Sequence, residues 1–143
     1  MIGILVTGHG NFATGLTSSV KLIAGLPQNY EAVDFLESYG VEELAEKLSE
    51  AMDRLSGCEG ILVFSDLAGG SPFKTAVEVG MTKGKRVEVL AGTNLGMIIE
   101  LSMARGFIED MDTLVNMALE TGKSQVVKFE LKKRVEVCDE DGI

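Results

Sequence analysis

No apolar run in this 143-residue sequence approaches the roughly 18 residues of a membrane span, so it offers no candidate transmembrane segment. The first strand-like stretch begins at Ile2 and leaves no room for a signal peptide before it, so a cytoplasmic location is expected. Cysteine is scarce. Cys58 and Cys138 lie far apart, without the paired spacing of a zinc site or redox motif, and the cytosol would keep both as thiols; no metal and no cofactor is expected. Basic residues are outnumbered, with 13 Lys and Arg against 22 Asp and Glu and a net charge of -9. That balance opposes binding to nucleic acid or to an anionic membrane and favours a partner with a basic face. Histidine occurs once, as His9. Internal repeats and low-complexity linkers are missing too, so a single domain is expected over residues 1–130, followed by a charged tail, 131–143.

What is present is enough apolar material for a core, 45% of residues, arranged in alternating periods. Ile2–Val6 is a short apolar run closed by Thr7-Gly8 and reads as a strand buried on both faces. Phe12–Ala24 has helical spacing until Gly25-Leu26-Pro27 stops it. The cycle repeats with a strand at Tyr30–Leu36 and a helix at Val41–Leu55, where Glu43/Lys47 and Glu50/Arg54 stand four apart on a solvated face. Gly60–Ser65 is the third strand, and Ser71 and Pro72 suit the cap and first turn of a helix reaching Met81. Arg86–Ala91 supplies a fourth strand, followed by helices at Asn94–Arg105 and Met111–Glu120. Met97, Met103, Met111 and Met117 in these helices read as adaptable core, with Met97 near enough a helix start to face a partner. Gln125–Leu131 alternates and reads as a final, edge strand.

Strands alternating with helices imply right-handed crossovers and a parallel sheet covered on both faces, an α/β three-layer sandwich. The strand count suits the flavodoxin-like order 2-1-3-4, with ligands beyond the carboxyl ends of strands one and three. The loops there are Thr7-Gly8-His9-Gly10 and Asp66-Leu67-Ala68-Gly69-Gly70-Ser71-Pro72-Phe73. Glycines on both sides of His9 leave its imidazole open to a large partner. Asp66 ends the third strand at the equivalent place, where its carboxylate would fix one ring nitrogen and leave the other as a nucleophile; taken alone, it reads equally well as a strand terminator. Gly69-Gly70-Ser71 before a helix is a candidate anion cradle, since close backbone and free N–H groups stabilise negative charge. Thr7, Gly10 and Asn94 are candidate lining. A nucleophile, an orienting acid and an anion cradle at one sheet edge point to phosphoryl transfer.

A second reading competes. Gly8-x-Gly10-x-x-Ala13 matches a dinucleotide fingerprint, and Asp34 or Glu37 lies near the place of a ribose-binding acid. Against it, an imidazole at the variable position would crowd a pyrophosphate. A third reading is a regulatory module of the same fold that binds partners without turnover.

Taken in order, Gly8-His9-Gly10, Asp66 with Gly69-Gly70-Ser71-Pro72-Phe73, and Gly92-Thr93-Asn94-Leu95 resemble the mannose-family enzyme IIA domain of the bacterial phosphoenolpyruvate-dependent sugar phosphotransferase system. The similarity runs from Met1 to about Glu130. It implies a phosphotransferase in which His9 receives phosphate from the phosphocarrier HPr and passes it to a histidine of the cognate enzyme IIB, with membrane subunits engaged only indirectly. Asp66 would be the hydrogen-bond partner of His9, and the Gly69-Gly70-Ser71 turn would contact the phosphate. The resemblance also implies a homodimer whose final antiparallel strand, matching Gln125–Leu131, is exchanged between subunits. Gly96 stands where the family often has proline.

Overall fold

Residues 1–131 are described by the computed structural model. The central strand β1 (Gly3–His9) is buried from Gly3 to Gly8, because it is flanked on both sides and covered on both faces. It pairs in parallel with β2 (Tyr30–Phe35) and with β3 (Gly60–Phe64), and β3 pairs in parallel with β4 (Arg86–Leu90), giving the order β2-β1-β3-β4. Period-two alternation then sends the aliphatic side chains of one strand into two cores. Ile4, Val6, Leu62 and Phe64 pack on the face covered by α1 (Phe12–Ala24), α4 (Leu95–Ala104) and α5 (Met111–Ser124). Leu5, Ile61 and Val63 pack on the opposite face, under α2 (Val41–Arg54) and α3 (Ser71–Gly80). This is why β1 and β3 read as continuous apolar runs.

Several boundaries differ from expectation for identifiable reasons. β1 runs three residues beyond Val6, because β2 continues beside it as far as the His9–Phe35 pair. The cap of α3 is Gly70, in extended backbone, so Ser71 is the first helical residue and not the cap. Neither charged pair of α2 forms among the described residues: Lys47 lies over the Tyr39 ring at 5.4 Å, and Arg54 bonds Glu31 at 3.0 Å. α5 continues past Glu120 to Ser124, since Asn94 Nδ2 donates to Gly122 O at 2.9 Å and Gly122, lacking a side chain, lets Met97 Sδ approach its backbone.

The fifth strand expected at Gln125–Leu131 does not join the sheet of this chain. Gln125 closes α5, and residues 126–131 carry no strand pairing among the described residues, with Val126, Val127, Phe129 and Leu131 all more than 80% exposed. The tail beyond residue 131 lies outside the described residues. Met97 and Met111 are core as expected, but Met103 is exposed, because it stands on the outer side of α4. Arg105 is buried with no carboxylate partner among the described residues. Its guanidinium donates to the carbonyls of Ile2, Gln28 and Asn29, tying the end of α4 to the start of β1. No helix among the described residues is long and apolar enough to cross a membrane.

Candidate functional site

β3 leaves β1 after the Val6–Phe64 pair. Ser65 turns to β4 instead, its N–H and Oγ both donating to Leu90 O at 2.8 Å. β1 therefore extends past its neighbour, and the His9 N–H meets no β3 carbonyl. Asp66 Oδ2 takes that N–H at 2.9 Å and also receives the ring at Nδ1, 2.8 Å away. Asp66 Oδ1 accepts the Leu67 N–H at 2.8 Å. Burial opposes ionisation of this carboxyl, but the bonds from the His9 N–H, the His9 ring and the Leu67 N–H outweigh it and hold the group below its ordinary range. An ionised carboxylate can only accept, so in the neutral ring Nδ1 carries the proton and Nε2 keeps the lone pair. The side chain of His9 is 46% exposed and that of Asp66 is 13% exposed, so the carboxylate is sheltered while the imidazole is open to solvent.

Two further contacts fix the imidazole. The Phe35 ring stands 5.9 Å from it, centroid to centroid, tilted by 56°. Gly10 N–H donates to Phe35 O at 2.8 Å, a turn made at φ +59° that holds β2's last residue beside His9. On the other side is Gly70. A Cβ built there would lie 3.0 Å from His9 Cε1 and 3.6 Å from Nε2, so any side chain here would crowd the ring. Gly69 makes the preceding turn at φ +79°. The Nε2 edge thus lies against the N-terminus of α3, where the amides of Ser71 and Phe73 have no partner among the described residues and Pro72 carries no N–H. Free amides and the helix dipole together favour an anion at that place.

His9, Asp66 and Gly70 are brought together as the sequence leads one to expect, with Gly10, Gly69 and Ser71 in the turns around them. Thr7 and Asn94 are not free to line the site. Thr7 is fully buried and its Oγ1 donates to Val33 O at 2.8 Å, because the longer β1 draws it inside the sheet. Asn94 Oδ1 accepts the Met97 N–H at 3.2 Å and its Nδ2 is held by Gly122, so both ends of the amide serve helices. Phe35 escaped sequence reasoning, since only the register of β2 against β1 sets it beside His9.

The residues of the dinucleotide fingerprint are otherwise employed. Gly8 lacks a side chain because a Cβ would sit 2.6 Å from the Phe12 ring. Asp34 receives Thr14 N–H at 3.0 Å and Thr14 Oγ1 at 2.6 Å, supplying α1 with the cap that Asn11 does not.

Residues 3–119 match the family model described as "PTS system fructose IIA component". Over 131 residues, 92% of this chain, it is 34% identical to the "PTS system mannose-specific EIIAB component" of Escherichia coli, spanning 40% of that protein's length. It is 28% identical to the "PTS system fructose-specific EIIA component" of Bacillus subtilis, covering 99% of this chain and 96% of that one. Among solved structures, the mannose/sorbose specific IIA subunit from Enterococcus faecalis superposes with a TM-score of 0.82 at 26% identity, covering 92% of this chain and 96% of that one. An EIIA component from Streptococcus agalactiae does so with a TM-score of 0.77 at 31% identity, covering 90% and 97%.

Proposed function

This chain belongs to the mannose- and fructose-type enzyme IIA family of the sugar phosphotransferase system, and we propose that within it His9 Nε2 accepts a phosphoryl group from phospho-HPr and passes it to a histidine of the cognate IIB, in the cytoplasm. The observation that carries this reading is the bond of Asp66 Oδ2 to His9 Nδ1, which leaves Nε2 without a hydrogen bond among the described residues, beside the N-terminus of α3. The lone pair of Nε2 forms the new N–P bond while the donor's N–P bond breaks and its electron pair returns to the donor imidazole. His9 gains positive character, which the Asp66 carboxylate stabilises. The phosphoryl oxygens meet the free amides of α3, so the protein contributes positioning and charge stabilisation. Transfer to IIB repeats the exchange with His9 as the leaving group. The sugar is selected elsewhere, as relatives named for mannose, fructose and sorbose share this domain.

Incubation with phosphoenolpyruvate, enzyme I and HPr tests the reading. The chain should gain one acid-labile phosphate, and His9→Ala should remain folded and gain none; labelling of folded His9→Ala would defeat it. A nucleotide binder or a silent module would take up no phosphate at all.

Assembly completes the proposal. Among the described residues β4 has one unpaired edge, and residues 126–131 are exposed and alternate, which supports an antiparallel strand exchanged between copies of the chain. Deleting everything after Lys123 should give monomer or aggregate, whereas deleting from Lys132 should leave the dimer and His9 labelling intact. A stable dimer without Gln125–Leu131 would rule out the exchange as the basis of assembly.

A further inference from the structure

α3 buries Pro72, Thr75, Ala76 and Gly80 on one side and leaves Lys74 and Glu78 exposed on the other. The Lys74 N–H donates to Gly70 O at 2.9 Å, so these two residues close the first turn of the helix. Residues four apart share a helix face, and each Cα–Cβ bond tilts toward the N-terminus. The Lys74 side chain therefore leans back over Gly70, which has no side chain of its own. The place a Gly70 Cβ would take is 3.6 Å from His9 Nε2. Side chains four apart start about 6 Å from each other, a gap that the four-carbon stem of a lysine spans.

We propose that Lys74 is a phosphoryl-binding residue, its ammonium bonding an oxygen of the group carried on His9 Nε2 together with the first amides of α3. Two further observations support this. Among the described residues Lys74 has no ion pair, whereas Lys83 and Arg86 bond carboxylates and Lys85 and Arg105 bond carbonyls. Glu78 stands four residues on, but lysine before glutamate is the weaker order on a helix, and the two do not pair. The first turn of α3 also has no acidic residue, and a lysine at its end works against the helix dipole. An anion held between the ammonium and the amides removes that conflict. Lys74 gives and takes no proton; the N–P bonds form and break as described above. A phosphoryl group carries up to two negative charges, so the cation stabilises the phosphorylated chain and draws the phosphoryl equilibrium with HPr toward His9.

Lys74 has this role only if His9 is the phosphoacceptor proposed above, so the test reads that first. The full chain is equilibrated with phospho-HPr, and the phosphorylated and free forms of both proteins are separated and quantified. Lys74→Met and Lys74→Gln should each lower the equilibrium constant for uptake about threefold to tenfold, with the unfolding midpoint unchanged because the residue is exposed. Lys74→Arg keeps the charge and should stay within about twofold of the unsubstituted chain. Lys21→Met is the control: it removes the same charge from the last turn of α1, at the far end of the helix that follows His9, and should leave the constant unchanged. An unsubstituted chain that takes up no phosphate on His9 overturns the function and the role of Lys74 together. Labelled His9 with a Lys74→Met constant equal to that of the unsubstituted chain overturns Lys74 alone. Equal falls in Lys74→Met and Lys21→Met would trace the effect to net charge and overturn the contact, as would a Lys74→Arg constant as low as that of Lys74→Met.

Discussion

The carboxyl edge of β1 and β3 and the outer side of α4 are both exposed, yet they are finished to different degrees. At the sheet edge the His9 N–H, the His9 Nδ1 and both oxygens of Asp66 have partners, while Nε2 and the first amides of α3 have none among the described residues. On α4 the apolar side chain of Met103 is exposed and that of Ile99 is only partly buried, both lining an open groove. The first region is complete in one chain and unsatisfied only toward a small anion. The second is unsatisfied toward a large apolar surface. Exposure alone does not say what a surface is suited to meet; the chemistry of what is left unpartnered does.

The widest contrast is expected between the two faces of α4 itself. Leu101→Ala opens a cavity in the core and should cost about 2–5 kcal/mol in denaturant unfolding. Met103→Ala, two residues on, should change the stability of the dilute, monomeric chain by no more than about 0.5 kcal/mol. A large cost for Met103→Ala at dilution would mean that its side chain is covered within one chain, and the comparison would break.

At the sheet edge the next effect is steric. Gly70→Val keeps a backbone conformation that valine accepts, but its side chain would press on the Cε1 and Nε2 edge of His9. Phosphoryl transfer should slow by about a hundredfold, the cost of roughly 1 Å of misplacement, with the unfolding midpoint little changed. Unaltered transfer would show that Nε2 is approached from another side.

Asp66→Asn removes the charge opposite the imidazole and should slow transfer by roughly ten- to a hundredfold, from a bond worth about 1.5–3 kcal/mol. Wild-type rates in both directions would leave Asp66 a structural role only. The smallest effect concerns pH. The folded carboxyl of Asp66 titrates below its ordinary value, so the stability it contributes is fully present above the unfolded aspartate's pKa and is lost as pH falls through the lower, folded one. In His9→Ala the backbone N–H remains but the ring bond is gone, and the midpoint, read from the carboxyl carbon in NMR, should move up toward the ordinary aspartate value. An unmoved midpoint would show that the ring contributes nothing to it.

Much of this is legible in the chain before folding. Aliphatic runs at Ile2–Val6 and Gly60–Ser65, each followed by a glycine-bearing loop, announce buried parallel strands with loops at one edge. A lone histidine between glycines and an aspartate closing the third strand mark the candidate pair, because their identities are chemical and need no coordinates. Local pattern misleads where a distant partner decides the outcome. Thr7 reads as site lining until β2 extends the sheet around it, and Asn94 reads as available until α5 arrives to take its amide. Arg54 stands four residues from Glu50 but bonds Glu31 on β2, a partner supplied by the packing of α2 on the sheet and not by helical spacing.

The sequence by itself determined the order of elements, the candidate histidine and aspartate, and the glycines that keep the loops open, because periodicity and residue chemistry act locally. Tertiary structure alone decided which oxygen of Asp66 holds Nδ1, that Phe35 walls the ring, that Gly70 is spared a side chain for His9's sake, and that one side of α4 faces outward. Each of these depends on where β2, α3 and α5 come to rest, and that is set by the packing of the whole domain.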